Sequence, residues 1–399
     1  MIRICLLEKC NAIGVPPENF LQEFWDALNG VRRYGKLNYR ESYRPIGSLE
    51  EIVNEILSLE PGDPLNRFFS EVRIILRDEP GTCLAQKIVL CSAETMRKVS
   101  KKTELMDLLK MTTPRASTER TGQKSKCIKT LSDVVFRVFD YGNRRLNNQI
   151  FRNFKRLPWS VCIYCGRNYI SQFPVTPEKG GQTKRAYQLD HFLGKKNHPL
   201  FALSLFNLVP SCAFCNGPAL KGSKSIGYTS PWEKNYSFNH LYRFGLQTSS
   251  QFRKGLAQQL EDLESGESNT LVGGNDIAIG LETQREWIDN PPEGMSERQL
   301  KEQQKDFETM IGVLKLRQRY QLHWEEVKRI VEKKVLYPDS MITELARIAK
   351  MEENVIKQHL FEPKSHADTS DRTPLSKLSH DVHRALGIMP IKDGYSGLG

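Results

Sequence analysis

The chain has 399 residues, more than most single domains, so two or three folded parts are expected. Its hydrophobic content of 39% and charged content of 26% are those of a globular protein and exclude one embedded in the membrane. Lys and Arg outnumber Asp and Glu by 58 to 47, and the net charge of +11 favours a polyanionic partner such as nucleic acid. A solvated basic surface accounts for the charge equally well.

The sequence predicts neither a membrane segment nor a signal peptide. The longest apolar stretch, residues 199–210, is about half as long as the roughly 20 residues that span a bilayer. Residues 1–14 contain Glu8, Lys9 and Asn11, where a signal peptide has a continuous apolar core. We therefore expect a cytoplasmic protein without membrane contact.

The amino-terminal quarter of the chain has a helical pattern. Apolar residues recur three or four positions apart, as in Phe20, Phe24 and Leu28, and Ser48 with Glu51 forms a capping box for a further helix. The segment that follows is rich in Thr, Ser, Lys and Arg and nearly devoid of apolar residues. We predict a helical N-terminal domain over residues 1–110 and an exposed linker over 111–127.

A basic helical segment opens the next region, which we place at residues 128–235. The helical pattern runs from Ser132 to Leu157, with a break predicted at Gly142. Beside the apolar face lie Arg137, Arg144, Arg145, Arg152, Lys155 and Arg156. These cations either bind phosphate groups or simply solvate the helix.

The remaining residues, 236–399, predict a helical C-terminal region. A capping box at Ser296 and Gln299 starts an apolar stripe that predicts one helix to about Val335, roughly 60 Å long at 1.5 Å per residue. Shorter helices are predicted over residues 341–350, 354–361 and 375–386, the last closed by Gly387. The predicted fold class is mainly α and multidomain.

Four of the nine cysteines form two closely spaced pairs, Cys162-x-x-Cys165 and Cys212-x-x-Cys215. Two such pairs can present four thiolates tetrahedrally to zinc, and a zinc ion closed by four thiolates has a structural role because it keeps no open position. A redox dithiol, the alternative, needs only one pair. The sequence therefore predicts a structural zinc site, and the other cysteines are expected to be small buried apolar residues.

A second set of polar residues lies between and just after the cysteine pairs. Asp190-His191 stands in the segment Gln188-Leu-Asp-His-Phe, Asn207 is followed by Leu208, and Asn216 directly follows the second pair. In order and spacing this region resembles the HNH (ββα-metal) endonucleases. The resemblance implies a central ββα-metal module, a nuclease domain over residues 128–235, in which Asp190-His191 ends the first strand and Asn216 opens the catalytic helix.

Carried onto this sequence, the resemblance assigns a role to each of these residues. It makes Asp190 and Asn216 ligands of a catalytic Mg²⁺ or Mn²⁺, distinct from the zinc, and His191 the base that activates water. It makes Asn207 the brace of the loop that orients the histidine ring. The expected products carry 5′-phosphate and 3′-hydroxyl ends. Asn216 replaces the more common histidine, and its harder oxygen ligand favours Mg²⁺ or Mn²⁺.

Four lysines flank the motif and are candidates for contacts with the nucleic-acid backbone. They are Lys195, Lys196, Lys221 and Lys224. Backbone contacts of this kind confer affinity without sequence choice. Solubility is the alternative role for any one of them.

These patterns together predict a metal-dependent HNH endonuclease that hydrolyses nucleic acid, with DNA favoured. The Cys162 to Tyr169 opening and the Leu-Asp-His-Phe segment look like those of bacterial nucleases of phage defence or mobile elements, some of which act beside an ATPase partner. One alternative is a zinc-stabilised nucleic-acid-binding protein with a vestigial nuclease site. Another is a scaffold built on the long helices. The sequence predicts neither sequence specificity nor oligomeric state.

Overall fold

The computed structural model describes residues 2–32, 37–38, 42–43, 47–112, 130–174, 183–248, 277–284, 288, 291, 294–361 and 373–388. The predicted linker lies outside the described residues except for residues 111 and 112. The chain forms two compact units. The first unit comprises Arg3–Ser160 and Ile170–Tyr236, and the second comprises Met1–Ile2, Val161–Tyr169 and Ser237–Gly399.

Short helices make up most of the first unit. They are α1 (Leu6–Asn11), α2 (Pro17–Asn29), α3 (Leu49–Leu57), α4 (Pro64–Ile75), α5 (Leu84–Leu90), α6 (Ala93–Lys101), α7 (Thr103–Lys110), α8 (Leu131–Val138), α9 (Arg144–Phe154) and α10 (Ala213–Asn216). The capping box of Ser48 and Glu51 is confirmed at the start of α3. The break at Gly142 is confirmed too, because α9 begins at Arg144 and is capped by Asn143, whose side chain accepts from the Arg145 N–H (2.9 Å).

The strands of this unit are short and pair antiparallel. They are β1 (Leu37–Asn38), β2 (Ser42–Tyr43), β3 (Gln172–Pro174), β4 (Thr183–Arg185), β5 (Gln188–His191) and β6 (Leu208–Ser211), paired as β1 with β2, β3 with β4 and β5 with β6. In the last pair Gln188 stands opposite Ser211, and His191 stands opposite Leu208. The chain mainly consists of helices, as predicted from the sequence.

Aromatic side chains form much of the core of the first unit. Phe24 of α2 meets Phe154 of α9 edge to face (centroids 6.4 Å apart), and Phe69 of α4 stacks on Phe139 (6.3 Å). All four rings are fully buried. Each such pair contributes about 0.5–1.5 kcal/mol beyond its apolar burial. The contact with Phe24 fixes one face of α9 in the core and leaves the other face for solvent or ligand.

The amino-terminal helices also pack against the segment between β5 and β6. Ser204, fully buried in that segment, donates its hydroxyl to the carbonyl oxygen of Ile88 in α5 (2.6 Å). Helix α8 lies against the turn Pro199–Phe201. Residues 3–110 therefore belong to the same compact unit as α8, α9 and residues 170–236.

The second unit combines a hairpin of strands with helices. Its elements are α11 (Phe238–Leu241), β7 (Tyr242–Thr248), β8 (Ile277–Thr283), α12 (Glu297–Val313), α13 (Leu316–Gln321), α14 (Trp324–Leu336), α15 (Asp339–Ala349), α16 (Glu353–Phe361) and α17 (Ser376–Ala385). Strands β7 and β8 pair antiparallel over their whole length. The predicted helical region 236–399 thus also contains a two-stranded sheet. The shorter helices predicted near residues 341–350, 354–361 and 375–386 are confirmed.

Polar and aromatic contacts hold the hairpin of the second unit. The Phe244 N–H of β7 donates to the Asp381 carboxylate of α17 (2.8 Å), and that carboxylate pairs with Lys377 (3.0 Å). The Phe244 ring lies 4.2 Å from that of Tyr320 in α13. These contacts place α13 and α17 on the hairpin.

The single long helix predicted from Ser296 to about Val335 is wrong. The capping box of Ser296 and Gln299 is present, but the segment is divided into α12, α13 and α14. Lys315 between the first two helices has a φ of 50°, a left-handed conformation that a continuous helix does not allow. The apolar period continued across the breaks because each short helix turns apolar residues towards a core. No helix in the described part of the chain is long and apolar enough to cross a membrane.

Candidate functional site

Asp190 and His191 lie on β5, Asn207 lies on the loop between β5 and β6, and Asn216 lies on α10. Strand β5 ends at His191, as predicted. Asn216 is the last residue of α10, so the expectation that it opens a helix is wrong. The helix begins at the second cysteine pair, with Cys212 as its N-cap, and Gly217-Pro218 stops it after four residues.

The four paired cysteines form one buried cluster. The sulfur atoms of Cys162, Cys165, Cys212 and Cys215 all lie within 4.8 Å of one another. Gly166, with a φ of 60°, follows the first pair and donates its N–H to the Cys162 carbonyl (2.8 Å), a turn that favours glycine. Four thiolates in this arrangement can bind a metal such as zinc.

His191 is buried, and its ring is held on two sides. The Nε2 atom lies 2.9 Å from the carbonyl oxygen of Ala202. Because a carbonyl oxygen only accepts, Nε2 carries the hydrogen, and the lone pair of the neutral ring is on Nδ1. The Tyr141 ring packs edge to face against the imidazole with centroids 4.4 Å apart. The hydrogen bond at Nε2 and the contact with Tyr141 together fix the orientation of the imidazole and the position of Nδ1.

Burial lowers the pKa of His191 from its ordinary value of 6.5 to about 3. The Ala202 carbonyl opposes this effect, whereas the positive charges of Lys195 and Lys221 add to it. The imidazole is consequently neutral throughout the physiological pH range, with Nδ1 able to accept a proton.

Asn207 is fully buried and braces the loop that carries the Ala202 carbonyl. Its amide nitrogen donates to the carbonyl oxygens of Leu193 (3.1 Å) and Phe201 (2.9 Å), and its amide oxygen accepts from the Leu193 N–H (2.7 Å). Phe201 directly precedes Ala202. The Asn207 side chain thus holds the loop at Leu193 and at Phe201, next to the carbonyl of Ala202 that contacts the His191 ring.

Asp190 forms a buried ion pair with Lys221. The lysine Nζ lies 3.0 Å from one carboxylate oxygen and 2.8 Å from the other, and it also donates to the His191 carbonyl (2.8 Å). Lys221 is only 2% exposed. Its ammonium is directed at Asp190 and not at the surface, where the sequence placed it as a backbone contact. The charge of Asp190, which is 5% exposed, is balanced inside the protein.

Asn216 is held against β5 by Gln188, a residue that the sequence did not single out. The Asn216 amide nitrogen donates to the Gln188 side-chain oxygen (2.8 Å), and the Asn216 amide oxygen has no partner among the described residues. Residues two apart in a strand point to the same side, so Gln188 places Asn216 on the face of β5 that carries Asp190. The sequence signal that could have identified Gln188 is its position two residues before Asp190 on the same strand.

The other three lysines differ in environment. Lys195 is half-buried with its Nζ 5.0 Å from the centroid of the Tyr141 ring, whereas Lys196 and Lys224 are exposed. Lys224 also donates to the Leu220 carbonyl (2.9 Å). Two of the four predicted contact residues therefore present their side chains at the surface.

An open cavity of about 680 Å³ adjoins the motif in the first unit. Its lining includes Arg144, Arg152, Lys155, Arg185, Gln188 and Asn216. Tyr141, which packs on His191, lines it as well. Arg144, Arg152 and Lys155 belong to the basic helical segment predicted from the sequence, but their position beside Asn216 depends on the tertiary fold.

Comparison of the chain with protein-family models, curated proteins and solved structures finds no match.

Replacing Asn207 with Ala removes a buried brace. The Leu193 carbonyl and N–H lose their partner, whereas the Phe201 carbonyl still accepts from the Ser204 N–H (3.2 Å), and each buried unpaired group costs about 1–3 kcal/mol. We expect the free energy of unfolding, measured by urea denaturation, to fall by about 2–4 kcal/mol. Asn197→Ala, at an exposed asparagine of the same loop, is the matched control and should change it by less than about 0.5 kcal/mol. Equal losses in the two variants would contradict the bracing role.

Replacing Lys221 with Met tests the buried ion pair. The variant leaves the Asp190 carboxylate buried without its ammonium, which is expected to lower the free energy of unfolding at pH 7 by about 3–5 kcal/mol. Lys224→Met, at an exposed neighbour, should cost less than about 0.5 kcal/mol. Unchanged stability of Lys221→Met would show that the pair does not form in solution.

Proposed function

We propose that this protein is a metal-dependent endonuclease of the HNH type that hydrolyses phosphodiester bonds of nucleic acid, with DNA as the favoured substrate. The observation that carries the proposal is the hydrogen bond between His191 Nε2 and the Ala202 carbonyl, in a loop braced by Asn207. This hydrogen bond uses Nε2, so the basic Nδ1 of the neutral imidazole points away from the Ala202 carbonyl. Support also comes from the order β5, β6, α10, with Asp190 beside the histidine and Asn216 after the second cysteine pair.

In the proposed reaction His191 Nδ1 takes a proton from water, and the hydroxide attacks phosphorus in line. The bond from phosphorus to the 3′-oxygen breaks, and the departing 3′-oxygen takes a proton from solvent, which leaves a 5′-phosphate and a 3′-hydroxyl. A pKa near 3 makes the isolated imidazole a weak base. The negative charge of a bound phosphate favours the imidazolium and raises this pKa. The Ala202 carbonyl, which accepts from Nε2–H, stabilises the imidazolium as it forms.

Asp190 and Asn216 are the residues that would hold a catalytic Mg²⁺ or Mn²⁺. Both offer oxygen ligands, which these ions prefer. The amide oxygen of Asn216 has no partner among the described residues, so it could coordinate such an ion directly. The Asp190 carboxylate, which contacts the Lys221 ammonium, would supply the second oxygen ligand. When bound, such an ion supplies charge stabilisation to the phosphate oxygens.

The alternative is a zinc-stabilised nucleic-acid-binding protein with a vestigial nuclease site. The specific observation in its favour is that both carboxylate oxygens of Asp190 already contact the Lys221 ammonium. Such a binder needs the cysteines and the surface cations but has no use for the Asp190 and His191 side chains. Roles in phage defence or in mobile elements, and an ATPase partner, are further proposals that rest on the resemblance of the motif.

The nuclease proposal is tested by incubating the wild type with plasmid, linear DNA and RNA, with Mg²⁺, with Mn²⁺ or without added metal. We expect cleavage only with added metal. His191→Ala should reduce the cleavage rate by at least about 100-fold, because a general base contributes 10²–10⁴-fold.

His359→Ala is the matched control for this assay, because His359 is exposed on α16. It should cleave at the wild-type rate. Circular dichroism and zinc content verify that both variants are folded. Cleavage by folded His191→Ala at the wild-type rate, or a folded and zinc-loaded wild type that cuts none of the substrates, would contradict the proposal.

We further propose that the cysteine cluster holds one structural zinc ion. The purified protein should contain about one equivalent of zinc by elemental analysis, and Cys215→Ser should lose it together with several kcal/mol of stability, because metal-binding energy is folding energy. Cys5→Ser, outside the cluster, should keep both. Full zinc occupancy in Cys215→Ser would argue against binding at the cluster.

A further inference from the structure

We propose that the cavity beside Asn216 binds an unpaired nucleotide of a nucleic-acid strand, so that the substrate is single-stranded next to the cut. That the bound strand is a substrate rests on the proposed nuclease function, whereas the binding itself does not depend on it. The cavity is built from the exposed face of α9, the end of β4, the start of β5 and the end of α10.

The lining carries positive charge and no carboxylate. Arg144, Arg152, Lys155 and Arg185 contribute four cations, and Asp and Glu are absent among the residues that line this cavity. Arg144 and Arg152 are exposed and form no ion pair with any described residue. They lie two turns apart on α9, about 12 Å along the helix axis. Cations without counterions at this spacing favour a backbone with repeated phosphates over a single small anion.

The shape of the site favours a single strand over a duplex. An open cavity of about 680 Å³ is large enough to hold a ligand of nucleotide size. A double helix has its bases stacked inside and presents a convex backbone, so it could reach only the rim. An unpaired nucleotide can turn its base into the cavity while its phosphates remain at the rim arginines.

The interior offers groups that suit a base. The Arg185 guanidinium lies over the Phe151 ring, 3.0 Å from its centroid, and both groups line the cavity. A guanidinium plane and an aromatic ring are groups on which bases stack. Asn147, Asn148 and Gln188 add amide groups that can pair with base edges. A stacking plane, amides and cations together are the components of single-strand binding sites.

The cavity also adjoins the proposed chemistry. Asn216 belongs both to its wall and to the proposed metal ligands, and Tyr141 lines it while packing on His191. A nucleotide held there has its phosphodiester linkage next to these residues. Neither Lys196 nor Lys224, the exposed lysines that the sequence favoured, lines the cavity.

The test is a binding measurement in the full-length His191→Ala protein, without added divalent metal, so that cleavage does not affect the result. The probes are a fluorescein-labelled single-stranded DNA of 20 nucleotides, the RNA strand of the same sequence, and the DNA duplex. We expect a single strand to bind at least about tenfold more tightly than the duplex. Whichever strand binds better identifies the preferred sugar.

Two variants separate charge from stacking. Arg144→Gln with Arg152→Gln should weaken single-strand binding about tenfold and reduce the slope of log K against log salt by about 1.4, at roughly 0.7 per phosphate contact. Arg185→Lys keeps the positive charge but removes the planar guanidinium on which a base can stack. Single-strand binding should therefore weaken at least about fivefold, with the slope of log K against log salt unchanged.

The matched control is Arg145→Gln with Arg67→Gln, which removes the same charge from exposed arginines outside the cavity. Affinity should then stay within about twofold of the parent. An equal loss in the control, or duplex binding as tight as single-strand binding, would overturn the inference. If the wild type fails to cleave while the cavity variants lose single-strand binding, the nuclease proposal fails and this one stands.

Discussion

The hydrogen bonds of Asn207 are the constraint on which the proposed site depends. Its buried amide fixes the Leu193 and Phe201 backbone, and the next carbonyl, that of Ala202, orients the ring of His191. A flexible loop at this position would leave the imidazole free to rotate and either nitrogen free to carry the hydrogen. The brace therefore determines the tautomer as well as the position of the proposed base.

Charge in the site is balanced by the protein itself. The Lys221 ammonium contacts both oxygens of Asp190 and the carbonyl of His191, and all three groups are buried. Removal of either charge would leave the other uncompensated in a low-dielectric interior. The same lysine thus links the Asp190 side chain to the His191 backbone. The cavity beside Asn216 differs, because its lining carries cations and no carboxylate.

Local features of the structure could be predicted from the sequence, and tertiary features could not. The capping boxes at Ser48 and Ser296 and the break before α9 follow from short patterns whose physical cause is local. The cysteine cluster could be predicted because each pair has the spacing of zinc ligands, although the two pairs meet only in the tertiary fold. The division of the long helix at Lys315 was missed because the apolar period continues across it. The burial of Lys221 depends on how β5 packs against the segment after α10. The hydrogen bond from Asn216 to Gln188 depends on how β5 packs against α10 itself. Charge and spacing in the sequence do not determine either contact.

The proposed activity is hydrolysis of a phosphodiester bond by water that His191 activates. Its most direct test is mass spectrometry of the cleaved ends after reaction of the wild type in ¹⁸O-labelled water with a single-stranded oligonucleotide and Mg²⁺ or Mn²⁺. The account predicts one ¹⁸O atom on each new 5′-phosphate and an unlabelled 3′-hydroxyl. Intact strands, or 3′-phosphate or cyclic phosphate ends, would contradict it.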